Sequence, residues 1–64
     1  MEWYDVRWRL SDSWTGRPRS SSCHERVRAL DPLGAVNVVK RRIKPQLRGN
    51  GLFVDVEDVS RFRN

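Results

Sequence analysis

Asp31-Pro32-Leu33-Gly34-Ala35-Val36-Asn37-Val38-Val39-Lys40-Arg41-Arg42-Ile43-Lys44 is the stretch around which the other segments arrange themselves. Asp31 has the chemistry of an N-cap: its carboxylate accepts from orphan backbone N–H groups and suits the positive end of the helix dipole. Pro32 fits the first helical position, where a missing N–H leaves nothing unsatisfied. Ala35, Val36, Val39 and Ile43 share one face at the spacing of an α-helix. Lys40, Arg41, Arg42 and Lys44 crowd the last turn, where cations oppose the negative dipole end. Pro45 disfavours helical geometry at Lys44, and Gly49-Asn50-Gly51 closes the region as a turn. One amphipathic helix over residues 31–44 is expected.

Working outward, the flanking segments alternate with a period of two, the mark of half-buried strands. Residues 2–10 put Tyr4, Val6, Trp8 and Leu10 on one side. Glu2, Asp5, Arg7 and Arg9 lie mostly off that series, with Trp3 as the apolar exception. Residues 23–30 put Val27 and Ala29 inward with Cys23 in phase, and His24, Arg26 and Arg28 outward. Glu25 then lands on the inward side, which calls for a place at the sheet rim or a bulge. Residues 52–57 put Leu52, Val54 and Val56 on one side and Phe53, Asp55 and Glu57 on the other. Residues 11–22 hold Gly16, Pro18 and five serines, the chemistry of a long loop. Only Trp14 there is large and apolar. Residues 58–64 read as a polar, basic tail in which Val59 and Phe62 can dock.

The order is β-β-α-β. The first two strands form an antiparallel hairpin, and a helical crossover places the third strand parallel to the second. That is satisfied if strand three pairs with the far side of strand one, giving the sheet order 2-1-3. The expected fold is α+β: a small single-layer ββαβ domain with one helix packed on one face of a three-stranded sheet. The whole chain, 1–64, is one small domain. A chain this short buries only about 60% of its unfolded surface, leaving little room for an enclosed active site. The opposite face is left open. It would carry Trp3, Asp5, Arg7 and Arg9, then His24, Arg26 and Arg28, then Phe53, Asp55 and Glu57.

Composition narrows the function. Lys and Arg number 13 against 8 Asp and Glu, a net charge of +5, and the chain holds three Trp among 38% apolar residues. That argues for a folded, basic object. One Cys allows no internal disulfide. No apolar run approaches a membrane span, and Met1-Glu2-Trp3-Tyr4-Asp5 lacks the order of a signal peptide. A cytoplasmic protein that makes no membrane contact is expected. Cys23 and His24 are neighbours, so on a strand they point to opposite faces and form no dyad. They read as a small buried thiol beside an exposed imidazole. Structural zinc wants four Cys or His ligands, and the chain has two in all. Asp55 and Glu57 could hold a hard cation, but beside Arg7 and Arg9 they read first as cross-strand ion pairs. Gly49-Asn50-Gly51 precedes a strand and so lacks the helix N-terminus of a phosphate loop. Neither catalysis nor a metal nor a cofactor is expected.

Two binding readings remain. Lys40, Arg41, Arg42, Lys44 and Arg48 form a run of five cations with no acid among them, fitted to phosphates. Arg17, Arg19 and Trp14 would add a flexible second arm, Trp14 stacking on a base; Arg61 and Arg63 add charge in the tail. The same helix-end cations also simply complement the dipole. The alternative is a protein interface on the open face or sheet edges, carried by Trp3, Arg7, Arg9, Arg26 and Phe53, residue types enriched at interface cores. The partner would be a second copy or a cellular or host protein, with the chain a dimer or a small inhibitor. Arginine outnumbers lysine eleven to two, as a GC-rich genome would produce. The ββαβ order, with Ala29-Leu30-Asp31-Pro32-Leu33-Gly34-Ala35-Val36 running from strand into helix, resembles that of many very small bacterial and phage proteins. A phage origin is what that resemblance implies.

Overall fold

Alternating apolar residues and one capped helix produce the expected architecture. A computed structural model describes residues 1–62 of the 64. The elements are β1 (Glu2–Asp12), β2 (Cys23–Ala29), α1 (Pro32–Ile43), a short 3₁₀ helix (Lys44–Leu47) and β3 (Leu52–Arg61). The sheet order is β2-β1-β3, and β1 runs antiparallel to both neighbours.

Asp31 stands in extended geometry before α1, and its carboxylate accepts from the Gly34 N–H at 2.6 Å. Pro32 occupies the first turn, as its fixed φ predicts. The helix buries Ala35 and Val39 against Tyr4, Val6, Val27, Ala29 and Val54, with Val38, Ile43 and Leu47 packed alongside. Val6 and Val39 are completely enclosed, at 0% exposure each. Val36 is half-buried, at the margin of this stripe. Ala35, Val38, Val39 and Arg42 share the i, i+3, i+4, i+7 face, so the stripe is rotated towards Val38 and carries Arg42 with it. Helical geometry also persists through Lys44, whose N–H donates to the Lys40 carbonyl. Pro45 does not stop the chain there. It enters the first turn of the 3₁₀ helix, where its missing N–H is tolerated.

Three boundaries differ from the sequence reading. β1 continues to Asp12, through the polar pair Ser11-Asp12 that follows the apolar alternation. β3 continues to Arg61, so the described part of the expected tail is largely strand; Arg63 lies outside the described residues. The cause is a bulge. Arg7 opposes Asp58 and Trp8 opposes Val56, which leaves Glu57 as the extra residue on β3. Beyond it the alternation resumes in the other phase, and Val59 faces Val6.

The third difference is the 11–22 loop, much of which is tied down. Arg19 N–H donates to Leu10 O and Asp12 N–H to Arg17 O, both at 2.8 Å, while Ser20 Oγ accepts from Leu10 N–H at 2.9 Å. The segment expected to be a flexible arm is folded back on the end of β1.

Glu25 sits on the helix side of the sheet, opposite Val6, as the alternation requires. No bulge intervenes; Glu25 stands on an edge strand of the sheet. Arg42 reaches down from α1 and forms an ion pair with it. Cys23 is exposed, not buried: it opposes Trp8, at the end of β2 away from the start of the helix.

Candidate nucleic-acid interface

β1 runs from the Glu2 end of the sheet to the Asp12 end. Ala29 faces Glu2, so α1 starts at the first end. Leu52 faces Asp12, so α1, the 3₁₀ helix and the 48–51 turn must deliver the chain to the second. This puts the last turn of α1 beside the free edge of β3. Because Val39 and Ile43 pack inward, Lys40, Arg41 and Lys44 are exposed. With Arg48 they line a groove of about 670 Å³ whose other walls are Pro45, Leu47, Leu52, Phe53 and Val54. Phe53 is 41% exposed. The residue opposite it on β1 is Ser11, which offers no bulk to cover a ring.

The positive charge is not spread evenly. Six carboxylates are already committed to arginines: Glu2 to Arg61 (2.8 Å), Asp5 to Arg26 (3.4 Å), Asp12 to Arg19 (3.2 Å), Glu25 to Arg42, and Asp55 (3.8 Å) and Glu57 (4.0 Å) to Arg9. Asp31 caps α1. Among the described residues, Arg7, Arg17, Arg28, Lys40, Arg41, Lys44 and Arg48 have no carboxylate partner, and the last four stand together at this groove. Four unneutralised cations therefore surround an apolar wall of Pro45, Leu47 and Leu52; Phe53, whose side chain leaves β3 on the face away from α1, borders it at the free edge of the strand.

The turn after β1 lies at the same end. Asp12 Oδ1 accepts from the N–H groups of Trp14 (2.7 Å) and Thr15 (3.1 Å). These bonds, with the Arg19 charge behind them, hold the Asp12 carboxyl below its ordinary value. Ser13 gives both its N–H and its hydroxyl to Gly51 O at 2.8 Å, joining this turn to the one that ends the groove. Gly51 has φ 68° and Gly16 φ 75°, conformations that suit glycine. Trp14 projects from this turn 92% exposed.

The structure thus gathers Lys40, Arg41, Lys44 and Arg48 at one groove, with Trp14, Arg17 and Arg19 on the adjoining turn. Arg42 is drawn off by Glu25, and Arg19 is paired with Asp12. The interface set of Trp3, Arg7, Arg9, Arg26 and Phe53 shares the open face of the sheet but is strung along its length. Trp3 and Ser11, the partner of Phe53, are eight positions apart on β1, about 26 Å at strand rise. Trp3 is 44% exposed, but its neighbourhood is internally engaged. Arg28 lies over the Trp3 ring at 5.6 Å, and Arg26 lies over the Phe62 ring at 3.6 Å. Arg9 binds Asp55 and Glu57, the cross-strand pairing the sequence suggests. His24 opposes Arg7 and Cys23 opposes Trp8, so thiol and imidazole leave opposite faces of β2. No helix among the described residues is long and apolar enough to cross a membrane.

Sequence reasoning missed the groove's apolar wall. Pro45 reads only as a helix stop, Leu47 carries no reading, Leu52 reads as an inward strand residue, and Phe53 reads with the open face, where the register keeps its side chain. The signal lay in the short 48–51 connection, which forces the helix end against the first residues of β3. The chain matches no protein-family model, no curated protein and no solved structure.

Proposed function

We propose that this protein is a small, basic, non-enzymatic module of the cytoplasm that binds nucleic acid through the groove at the end of α1. The observation that supports it is the set of four cations, Lys40, Arg41, Lys44 and Arg48, gathered at one groove with no carboxylate partner among the described residues. Phosphates would supply the missing partners and release their counterions, which drives salt-dependent binding. An exposed, unpaired Cys23 suits a reducing compartment.

Affinity for nucleic acid, followed by gel shift or fluorescence anisotropy, should fall steeply with salt. Four neutralised phosphates give a log–log slope of about −3. Replacing Lys40, Arg41, Lys44 and Arg48 together with Ala should remove most of the affinity and most of the slope, while Arg26→Ala leaves both close to the parent. Absence of binding at low salt, or a quadruple variant that binds like the parent, would refute the proposal.

A further inference from the structure

We infer that the groove takes single-stranded nucleic acid, with a base held against Phe53 and the adjoining phosphates on Lys40, Arg41, Lys44 and Arg48; this rests on the nucleic-acid reading above. The two halves of the site ask for different things. The cations ask for phosphates. The wall of Leu47 and Leu52, with the exposed Phe53 ring just around the free edge of β3, asks for an apolar, planar surface. A duplex keeps its base faces stacked inside and offers only sugar, phosphate and base edges. A single strand offers phosphate and bare base face together, and stacking on an aromatic ring is its general mode of recognition.

The helix itself points the same way. A helix that reads duplex DNA enters the major groove with its N-terminal residues against base edges. In α1 those residues are Pro32, Leu33 and Gly34, which carry no side-chain donor or acceptor for a base edge. Its cations are confined to the last turn. At about 670 Å³ the groove is on the scale of small-ligand sites, room enough for a base. Trp14, on the turn tied to Gly51, offers the neighbouring base a second ring.

The test is anisotropy of the full chain with labelled oligothymidylate and oligouridylate of about a dozen nucleotides, and with a mixed-sequence duplex of equal length. At about 50 mM salt, either single strand should bind at least about tenfold tighter than the duplex; the tighter of the two identifies DNA or RNA as the source. Phe53→Leu keeps apolar bulk and removes the ring. It should weaken single-strand binding about tenfold and leave duplex binding unchanged, while Phe53→Trp retains the parent affinity. Circular dichroism of both variants should match the parent. Duplex binding as tight as single-strand binding, or a Phe53→Leu variant that binds single strands like the parent, overturns the inference but leaves nucleic-acid binding standing. Failure of every probe to bind overturns both.

Discussion

Asp12 ends β1 and opens the turn that follows, and its carboxylate serves both roles. The N–H of Trp14, then that of Thr15, then Arg19 stabilise the ionised form. A carboxyl depressed in the folded state stays ionised where the unfolded chain has already begun to take up protons. Its contribution to stability is therefore complete above the ordinary carboxylate range and is lost as the pH falls through the lower folded value. Asp12→Ala should give a variant whose denaturant midpoint equals the parent's in strong acid and drops behind it as the pH rises through the carboxylate range. A gap that stays constant with pH would contradict this account of the turn. The Ser11-Asp12-Ser13-Trp14-Thr15-Gly16 run reads as loop because no apolar residue marks the strand's last two positions. The side-chain hydrogen bonds that extend the strand leave no trace in hydropathy.

At the scale of elements, α1 and the strands were legible where local chemistry decides them. Asp31 and Pro32 fix the helix start, and Tyr4, Val6, Val27, Ala29 and Val54 fix which sheet face it covers. The bulge at Glu57 was not legible, because one extra residue shifts the phase without changing composition, and so the last four residues of β3 looked like tail. Nor was the Glu25–Arg42 contact. The alternation marked Glu25 as an inward charge, but its partner stood among the solvent-facing cations of the helix end. Val38 in place of Val36 on the buried stripe is what turns Arg42 towards the sheet. The side chain of Glu25 is only 19% exposed. Arg42→Ala strands that carboxylate against Val6 and should cost about 1 kcal/mol or more, between the ranges for exposed and buried pairs. Glu25→Leu should be neutral or stabilising, since apolar packing often replaces a half-buried ion pair without loss. Urea unfolding of both variants measures this. A loss of stability in Glu25→Leu as large as in Arg42→Ala would show that the pair itself, and not the stranded charge, holds the helix down.

Over the whole molecule, one strand sets the dimensions. The longest extent is 37 Å, close to the roughly 36 Å of eleven residues at strand rise. This elongation separates the two ends. One end holds Glu2, Ala29 and the capped start of α1. The other holds the cations of the helix end and the tied turn of Trp14. The fold was readable from the sequence because ββαβ order and crossover rules leave few alternatives. The site was readable only in its charges. Which cations stay free depends on where each carboxylate lands, and pairings such as Glu25–Arg42 and Asp12–Arg19 exist only in three dimensions. The groove and the open sheet face can be told apart in one measurement: an amide ¹H–¹⁵N NMR titration of the protein with oligothymidylate at low salt. Shifts should concentrate at Lys40, Arg41, Lys44, Arg48 and Leu52 to Val54, with Trp3, Arg26 and Phe62 unmoved. Shifts centred on Trp3, Arg26 and Phe62, or none anywhere, would contradict the assignment of the groove.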